Sequence, residues 1–391
     1  MNQKTKLFLK LKFQEYYNSA SIHLPPELAS REWGFISFDQ MPETIMRRHK
    51  SFGSIREMRD YLSAMAPAHA YHSVAYYEYP NAPNMKEKHW QGADLIFDLD
   101  ADHLPGAPTS YADMLEHVKV EALKLLDFLT NDFGIAENDI TTVFSGGRGY
   151  HFHISNSSVR TLESAERREI VDYVSGRGLD LKHILGKKHV GGDAGRESAD
   201  VPGFPSEEEG GWPGRINRYI VSYLSDVAEQ ENAIRILTGF DGIGKITAER
   251  LIEVFNDPEK IEVLKKGNVS VLPTIRSNIF DVLASQAVDR TSAHVDEPVT
   301  ADIKRLIRLP GSLHGGSGMR VTLLDNSELE DFDPLDDAVV FSEKAVQLKV
   351  IRPFEVQMMG KELHVEEGVQ QLPEYVAVYL MCRGAAEYGS Y

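Results

Sequence analysis

The 391-residue sequence contains a single cysteine, Cys382. One thiol closes no intrachain disulfide and builds no thiolate zinc tetrad, which fits a reducing compartment and makes a cytoplasmic protein the expectation. Long apolar runs are also missing. Among the first nineteen residues none is longer than Leu7-Phe8-Leu9, so neither a secretory h-region nor a membrane span is expected, and no membrane partner. Positive charge is the third shortage: 42 Lys and Arg stand against 59 Asp and Glu, a net charge of −17. Such a surface repels phosphate and acidic lipid as a whole, so a polyanionic partner has to find a local basic patch. No internal repeat and no low-complexity tail is present.

What is there belongs to a folded enzyme-sized chain, with 42% apolar and 26% charged residues. Residues 1–20 alternate Lys with Leu and Phe, an amphipathic helix packing on the body of the protein. Arg47, Arg48, Lys50, Arg56 and Arg59 form the first candidate patch for phosphates. Leu95-Ile96-Phe97 reads as a buried strand, and Leu115, Val118, Ala122, Leu125, Leu126, Leu129 and Phe133 read as the apolar face of a helix with Gly134 as its C-cap. Residues 140–155 read as strand, Gly-rich turn, strand. Helical periodicity then dominates from about 160 to 290, broken by a polar Gly/Pro-rich loop over 186–215. The expectation is an α/β or α+β protein with a mixed sheet and flanking helices: 1–200 and 291–391 as two parts of a catalytic domain, and 201–290 as a mostly helical inserted subdomain.

Three segments carry chemistry. Asp98 and Asp100 lie two apart at the end of the apolar strand, so strand alternation puts both carboxylates on one face, with Asp102 in phase as a helper. Paired hard oxygens suit Mg²⁺ or Mn²⁺ better than zinc. Ser145-Gly-Gly-Arg148-Gly-Tyr-His151-Phe-His153 combines glycines that let backbone N–H groups approach an anion with a guanidinium fork matched to phosphate. The third segment sets Arg305, Arg308, Ser312 and His314 among four glycines and a proline, and Asp296, on an upstream run of β-like character, adds a third carboxylate. Three carboxylates beside two basic, Gly-rich turns describe a site for a divalent metal with a triphosphate.

FDLDAD (97–102), SGGRGYHFH (145–153) and DEPVTADIKRLIRLPGSLHG (296–315), in this order and separation, resemble the catalytic small subunit of archaeal and eukaryotic-type DNA primase. REWGF (31–35) and RRHKSF (47–52) resemble that family's N-terminal part, so the likeness covers most of the chain. The resemblance implies metal-binding catalytic aspartates at Asp98, Asp100 and Asp296, and a nucleotide-binding set of Ser145, Arg148, His151, Arg308 and His314. It also implies two-metal nucleotidyl transfer with Mg²⁺ or Mn²⁺, making short RNA or DNA primers from nucleoside triphosphates on single-stranded DNA, and a heterodimer with a large primase subunit.

The chain departs from that pattern where many archaeal members carry a Cys/His zinc knuckle. His103 and His117 stand there without thiolates, so no structural zinc is expected. Residues 237–255, LTGFDGIGKITAERLIEVF, have the look of a helix-hairpin-helix whose Gly turn aims N–H groups at a DNA phosphate; the alternative is an ordinary helical hairpin. Three other functions compete: a related end-joining polymerase domain, a catalytically inert nucleic-acid-binding module, and a DxD glycosyltransferase. The last leaves the cationic turns at 145–151 and 308–316 without a purpose.

Overall fold

A computed structural model describes residues 1–106, 108–190, 199–273 and 279–389. The chain divides into two units. One comprises Met1–Leu126, Ile135–Val171 and His294–Tyr391, the other Asp127–Gly134 and Asp172–Ala293.

The first unit contains, in chain order, α1 (Gln3–Tyr17), β1 (Trp33–Ile36), β2 (Arg47–Lys50), α2 (Ile55–Met65), β3 (His69–Ser73), β4 (Leu95–Asp100) and α3 (Tyr111–Asp127). These are followed by β5 (Ile140–Phe144), β6 (Gly149–Ile154), α4 (Glu297–Ala301), β7 (Leu306–Arg308), β8 (Thr322–Leu324) and α5 (Glu374–Cys382). Two four-stranded sheets carry the motifs, in the orders β7-β3-β1-β2 and β8-β5-β6-β4. The α+β class expected from the sequence is found, but the pairings within both sheets are antiparallel rather than mixed. The tight turn after β5 returns the chain as a hairpin, and α3 carries it from β4 to the far side of that hairpin, so β4 lies antiparallel to β6.

Alternation along β4 works as its sequence demands. Phe97 and Leu99 are fully buried, while Asp98 and Asp100 face the other way and stay partly open. On α3, Leu115, Val118, Ala122 and Leu125 recur every three or four residues and are all buried. Gly149 is required by close packing: a Cβ there would fall 1.9 Å from the Leu99 carbonyl oxygen on the neighbouring strand. Asp296 does not lie on an extended run. It precedes α4, whose early Pro298 fixes a helical φ and has no N–H to offer a strand ladder.

The second unit is mainly helical: Trp212–Ala228, Ala233–Thr238, Lys245–Phe255, Pro258–Lys265 and Ile279–Thr291 pack Ile216, Ile220, Leu224, Leu251 and Leu283 into one core. It takes in more chain than 201–290. Asp132 accepts two guanidinium bonds from Arg215 (2.7 and 3.0 Å) and one from the Tyr173 hydroxyl (2.9 Å), and Phe128 lies under that guanidinium. Buried ion pairing of this kind ties residues 127–134 and Tyr173 to the helices. Within the 186–215 segment, read from sequence as a loop, Lys187–Val190 pairs antiparallel with Ala199–Pro202, and residues 191–198 lie outside the described part. Residues 237–255 do form a helical hairpin, with Gly242 at φ +79° and Gly244 as the N-cap of the second helix. Among the described residues no helix is long and apolar enough to cross a membrane.

Candidate active site

The antiparallel register of β4 and β6 sets Asp98 opposite His151 and Asp100 opposite Gly149, so the first acidic pair faces the Gly-rich turn across one strand spacing. The third carboxylate arrives through the backbone: the Asp296 N–H donates to the Asp98 carbonyl at 2.9 Å. Asp296 occupies the N-cap position of α4, yet its side chain makes no capping bond. The Nδ1 of His103 lies 3.6 Å from its carboxylate.

Crowding shows in the acid strength of Asp98. Burial, and then the carboxylates of Asp100 and Asp296, push it up to about 7 despite the opposing fields of Arg305 and Arg308. Among the described residues no three His, Cys, Asp or Glu side chains close into a ready-made metal cage. The trio is a set of hard oxygen donors whose mutual repulsion a divalent cation would relieve, so the residues present fit Mg²⁺ or Mn²⁺. Asp102 pairs with Arg148, whose Nε also lies 3.8 Å from Asp100 Oδ1.

Opposite the acids lies the phosphate-like cradle. The Ser145 hydroxyl accepts from the N–H groups of Gly147 (3.3 Å) and Gly149 (3.2 Å), holding the turn in shape. Gly146 sits at φ +73°, and a Cβ there would lie 2.8 Å from that of His314. The second Gly-rich turn docks on the first: the Ser317 hydroxyl donates to the Gly146 carbonyl at 2.5 Å. His314 Nδ1 receives the Gly316 N–H at 3.2 Å, which leaves the ring proton on Nε2. Burial among Arg308, His69, Arg383 and Arg148 holds this imidazole well below the usual histidine range, so it is a neutral donor. His151 is neutral for similar reasons, chiefly burial, with Nε2 3.4 Å from Asp98 and Nδ1 buried without a partner.

Arg308 is held from the neighbouring strand. Its Nη1 donates to His69 Nδ1 at 2.8 Å and to the Tyr71 hydroxyl at 3.0 Å, and among the described residues no carboxylate pairs with it. Burial and the adjacent guanidinium push His69 down to about 3, so its Nδ1 stays available as an acceptor. The resulting cavity, about 280 Å³, is lined by every nucleotide-binding residue expected from the sequence, by Asp98 and Asp100, and by Gly316, Ser317 and Arg383. Asp296 is not in its wall. Of the early basic cluster, Arg48 is bound to the buried Glu32 (2.9 and 3.1 Å) and lines an adjoining cavity instead.

Sequence reasoning missed Arg383, Ser317, His69 and Tyr71. Ser317 lies three residues past His314 and was within reach of the motif. His69 and Tyr71 show only as polar residues alternating on β3, and Arg383, at the C-terminal end of α5, gives no sequence signal.

Carboxylates on one side of a cavity, with guanidinium and neutral imidazole donors on the other, equip an enzyme for nucleotidyl transfer. A family model described as DNA primase small subunit matches residues 97–325, and DNA primase small subunit PriS of Methanococcoides burtonii is 66% identical over 389 residues, covering 100% of both chains. The chain belongs to the DNA primase small subunit family and is a DNA-directed primase. The relatives of that name from Methanosarcina acetivorans (52% over 405 residues, 100% of this chain and 98% of that one) and Halobacterium salinarum (43% over 398 residues, 99% of each) are similar along their whole length too.

Proposed function

We propose that this primase joins nucleotides at the Asp98, Asp100 and Asp296 trio, drawing on a triphosphate held by Ser145, Arg148, His151, Arg308 and His314. The observation that carries this reading is the Asp296 to Asp98 backbone bond, which joins segments some two hundred residues apart beside the cationic cavity. Asp98, Asp100 and Asp296 would hold Mg²⁺ or Mn²⁺, whose charge when bound lowers the pKa of the attacking 3′-hydroxyl and offsets the charge of the departing pyrophosphate.

The chain's own groups do the rest. The two Gly-rich turns bring backbone and hydroxyl donors close to the phosphates, and Arg148 and Arg308 neutralise charge that grows on them in the transition state. His314 supplies an Nε2 proton without titrating, so it serves as a donor across the neutral pH range. The Arg148 bond to Asp102 is the one cation in the set that has to be released or shared when a triphosphate enters.

The proposed partners are single-stranded DNA template, nucleoside triphosphates and a large primase subunit, in the cytoplasm. A net charge of −17 supports this, because the small subunit would borrow template affinity from its partner. No structural zinc is proposed: the sole thiol, Cys382, is buried in α5. Incubating the chain with single-stranded DNA, labelled nucleotides and Mg²⁺ or Mn²⁺, with and without Asp98→Asn, tests the reading. Wild type should yield product and the variant none while still binding DNA; equal product from both would overturn it.

A further inference from the structure

Arg383 stands outside every sequence motif and outside the segment the family model matches, yet it lines the nucleotide cavity. Its guanidinium packs over the rings of Tyr111 (4.6 Å) and Tyr379 (5.2 Å), and among the described residues its buried Nε has no hydrogen-bond partner and no carboxylate pairs with it. Tyr111 in turn donates its hydroxyl to the Gly147 carbonyl, so the same aromatic shelf that carries Arg383 also braces the first Gly-rich turn. A half-buried guanidinium with an unused donor and no counter-ion is costly to keep unless an anion completes it.

Position along the cavity says which anion. At one end the cavity shares Asp98, His151 and Arg308 with a neighbouring cavity of about 360 Å³; at the other it shares Arg148 and Arg383 with one of about 550 Å³. Under the function proposed above, on which this step rests, the α-phosphate reacts at the carboxylates, so the Arg383 end receives the phosphate farthest from the reacting bond.

We propose that Arg383 is a further nucleotide-binding residue, which takes the terminal phosphate of the incoming nucleoside triphosphate from a platform of Tyr111 and Tyr379. Helix α5 thereby completes a pocket whose other walls come from the two Gly-rich turns.

The experiment is a binding titration of the full chain with ATP and with ADP, for wild type, Arg383→Met, Arg383→Lys and Arg308→Ala, with thermal unfolding of each. Met keeps the apolar stem against the two tyrosines and removes only the fork. Loss of a charge-assisted bond should weaken ATP binding by about 10–100-fold. ADP, which lacks the terminal phosphate, should change by less than about 3-fold, an energy below 1 kcal/mol. Arg383→Lys keeps the charge without the fork and should fall between, so it carries the test if Met unfolds the chain. Unchanged ATP binding in Arg383→Met, or equal weakening for ATP and ADP, overturns the proposal. If Arg308→Ala also leaves ATP binding intact, the pocket assignment beneath it is what has failed.

Discussion

Replacing Asp98 by Asn should abolish nucleotide incorporation and at the same time stabilise the metal-free protein. Asp98 is pushed up from 3.8 to about 7 by burial and by two neighbouring carboxylates. The folded state therefore binds more protons than the unfolded one between those values, and stability falls as pH rises through that window. At 1.36 kcal/mol per pKa unit the full penalty above pH 7 is about 4 kcal/mol, and Asn, being neutral, escapes it. The side chain keeps 21% of its surface exposed, so solvent screens part of the field and about 2 kcal/mol is the expected gain at pH 8. For a unit of this size that is a rise in Tm of roughly 4–8 °C. The assay is thermal unfolding in EDTA at pH 8 and at pH 4, where the gain should shrink towards zero because Asp98 is protonated in the folded state. Adding Mg²⁺ should raise the Tm of wild type and not of the variant, and chelation should reverse it. A variant that is less stable than wild type at pH 8 would refute the repulsion argument, since only a favourable contact of the carboxylate could then outweigh its neighbours.

His69→Leu removes the acceptor that holds Arg308 and should raise KM for nucleoside triphosphates by about 10-fold with little change in Tm, while His69→Asn, which places an oxygen near the Nδ1 position, should recover most of it. Equal effects in both variants would reduce His69 to packing. Gly149→Ala forces a methyl group to within 1.9 Å of the Leu99 carbonyl oxygen and should cost at least about 3 kcal/mol of stability, read by urea unfolding; a loss under 1 kcal/mol would show the strands can part. Lys245→Glu at the hairpin of the helical unit should lower the salt slope of DNA binding by about one if that turn meets a phosphate, and leave it unchanged if the hairpin is only structural.

The placement of Asp98 and Asp100 on one face of β4 is legible because its signal is local. A DxD at the end of an apolar strand fixes its own face by alternation, and the SGGRG turn announces a hairpin through its glycines, so β4, β5 and β6 follow from residues a few positions apart. The same logic failed at Asp296, where VDEPVT reads as extended until Pro298 is weighed as a helix starter. It failed wholly for Arg383 and His69. Each acts through one long-range contact, Arg383 over Tyr111 and His69 on Arg308, and a single strand or helix end holds no record of which distant side chain it will meet. Helical periodicity points to a helical insertion, but the bond of Arg215 to Asp132 joins positions 83 residues apart, which no periodicity shows.

How an acidic protein could receive the proposed triphosphate follows from where its cations are left without carboxylates. Most basic residues of the first unit with a close carboxylate are already committed: Arg48 to Glu32, Arg31 to Asp94, Arg160 to Glu27. Arg308 and Arg383, both on the cavity wall, have none among the described residues. Local potential is set by such uncompensated charges far more than by a net charge spread over a screened surface, whose reach at physiological salt is about 8 Å. Burial supplies the second half of the arrangement. Imidazoles enclosed among those guanidinium groups stay neutral, so His69 and His314 can take fixed acceptor and donor roles instead of adding charge that would vary with pH. The positive field of the cavity wall is then carried by guanidinium groups and should hold constant between pH 6 and 9. Over that range the titration of Asp98 remains the site's own source of pH dependence.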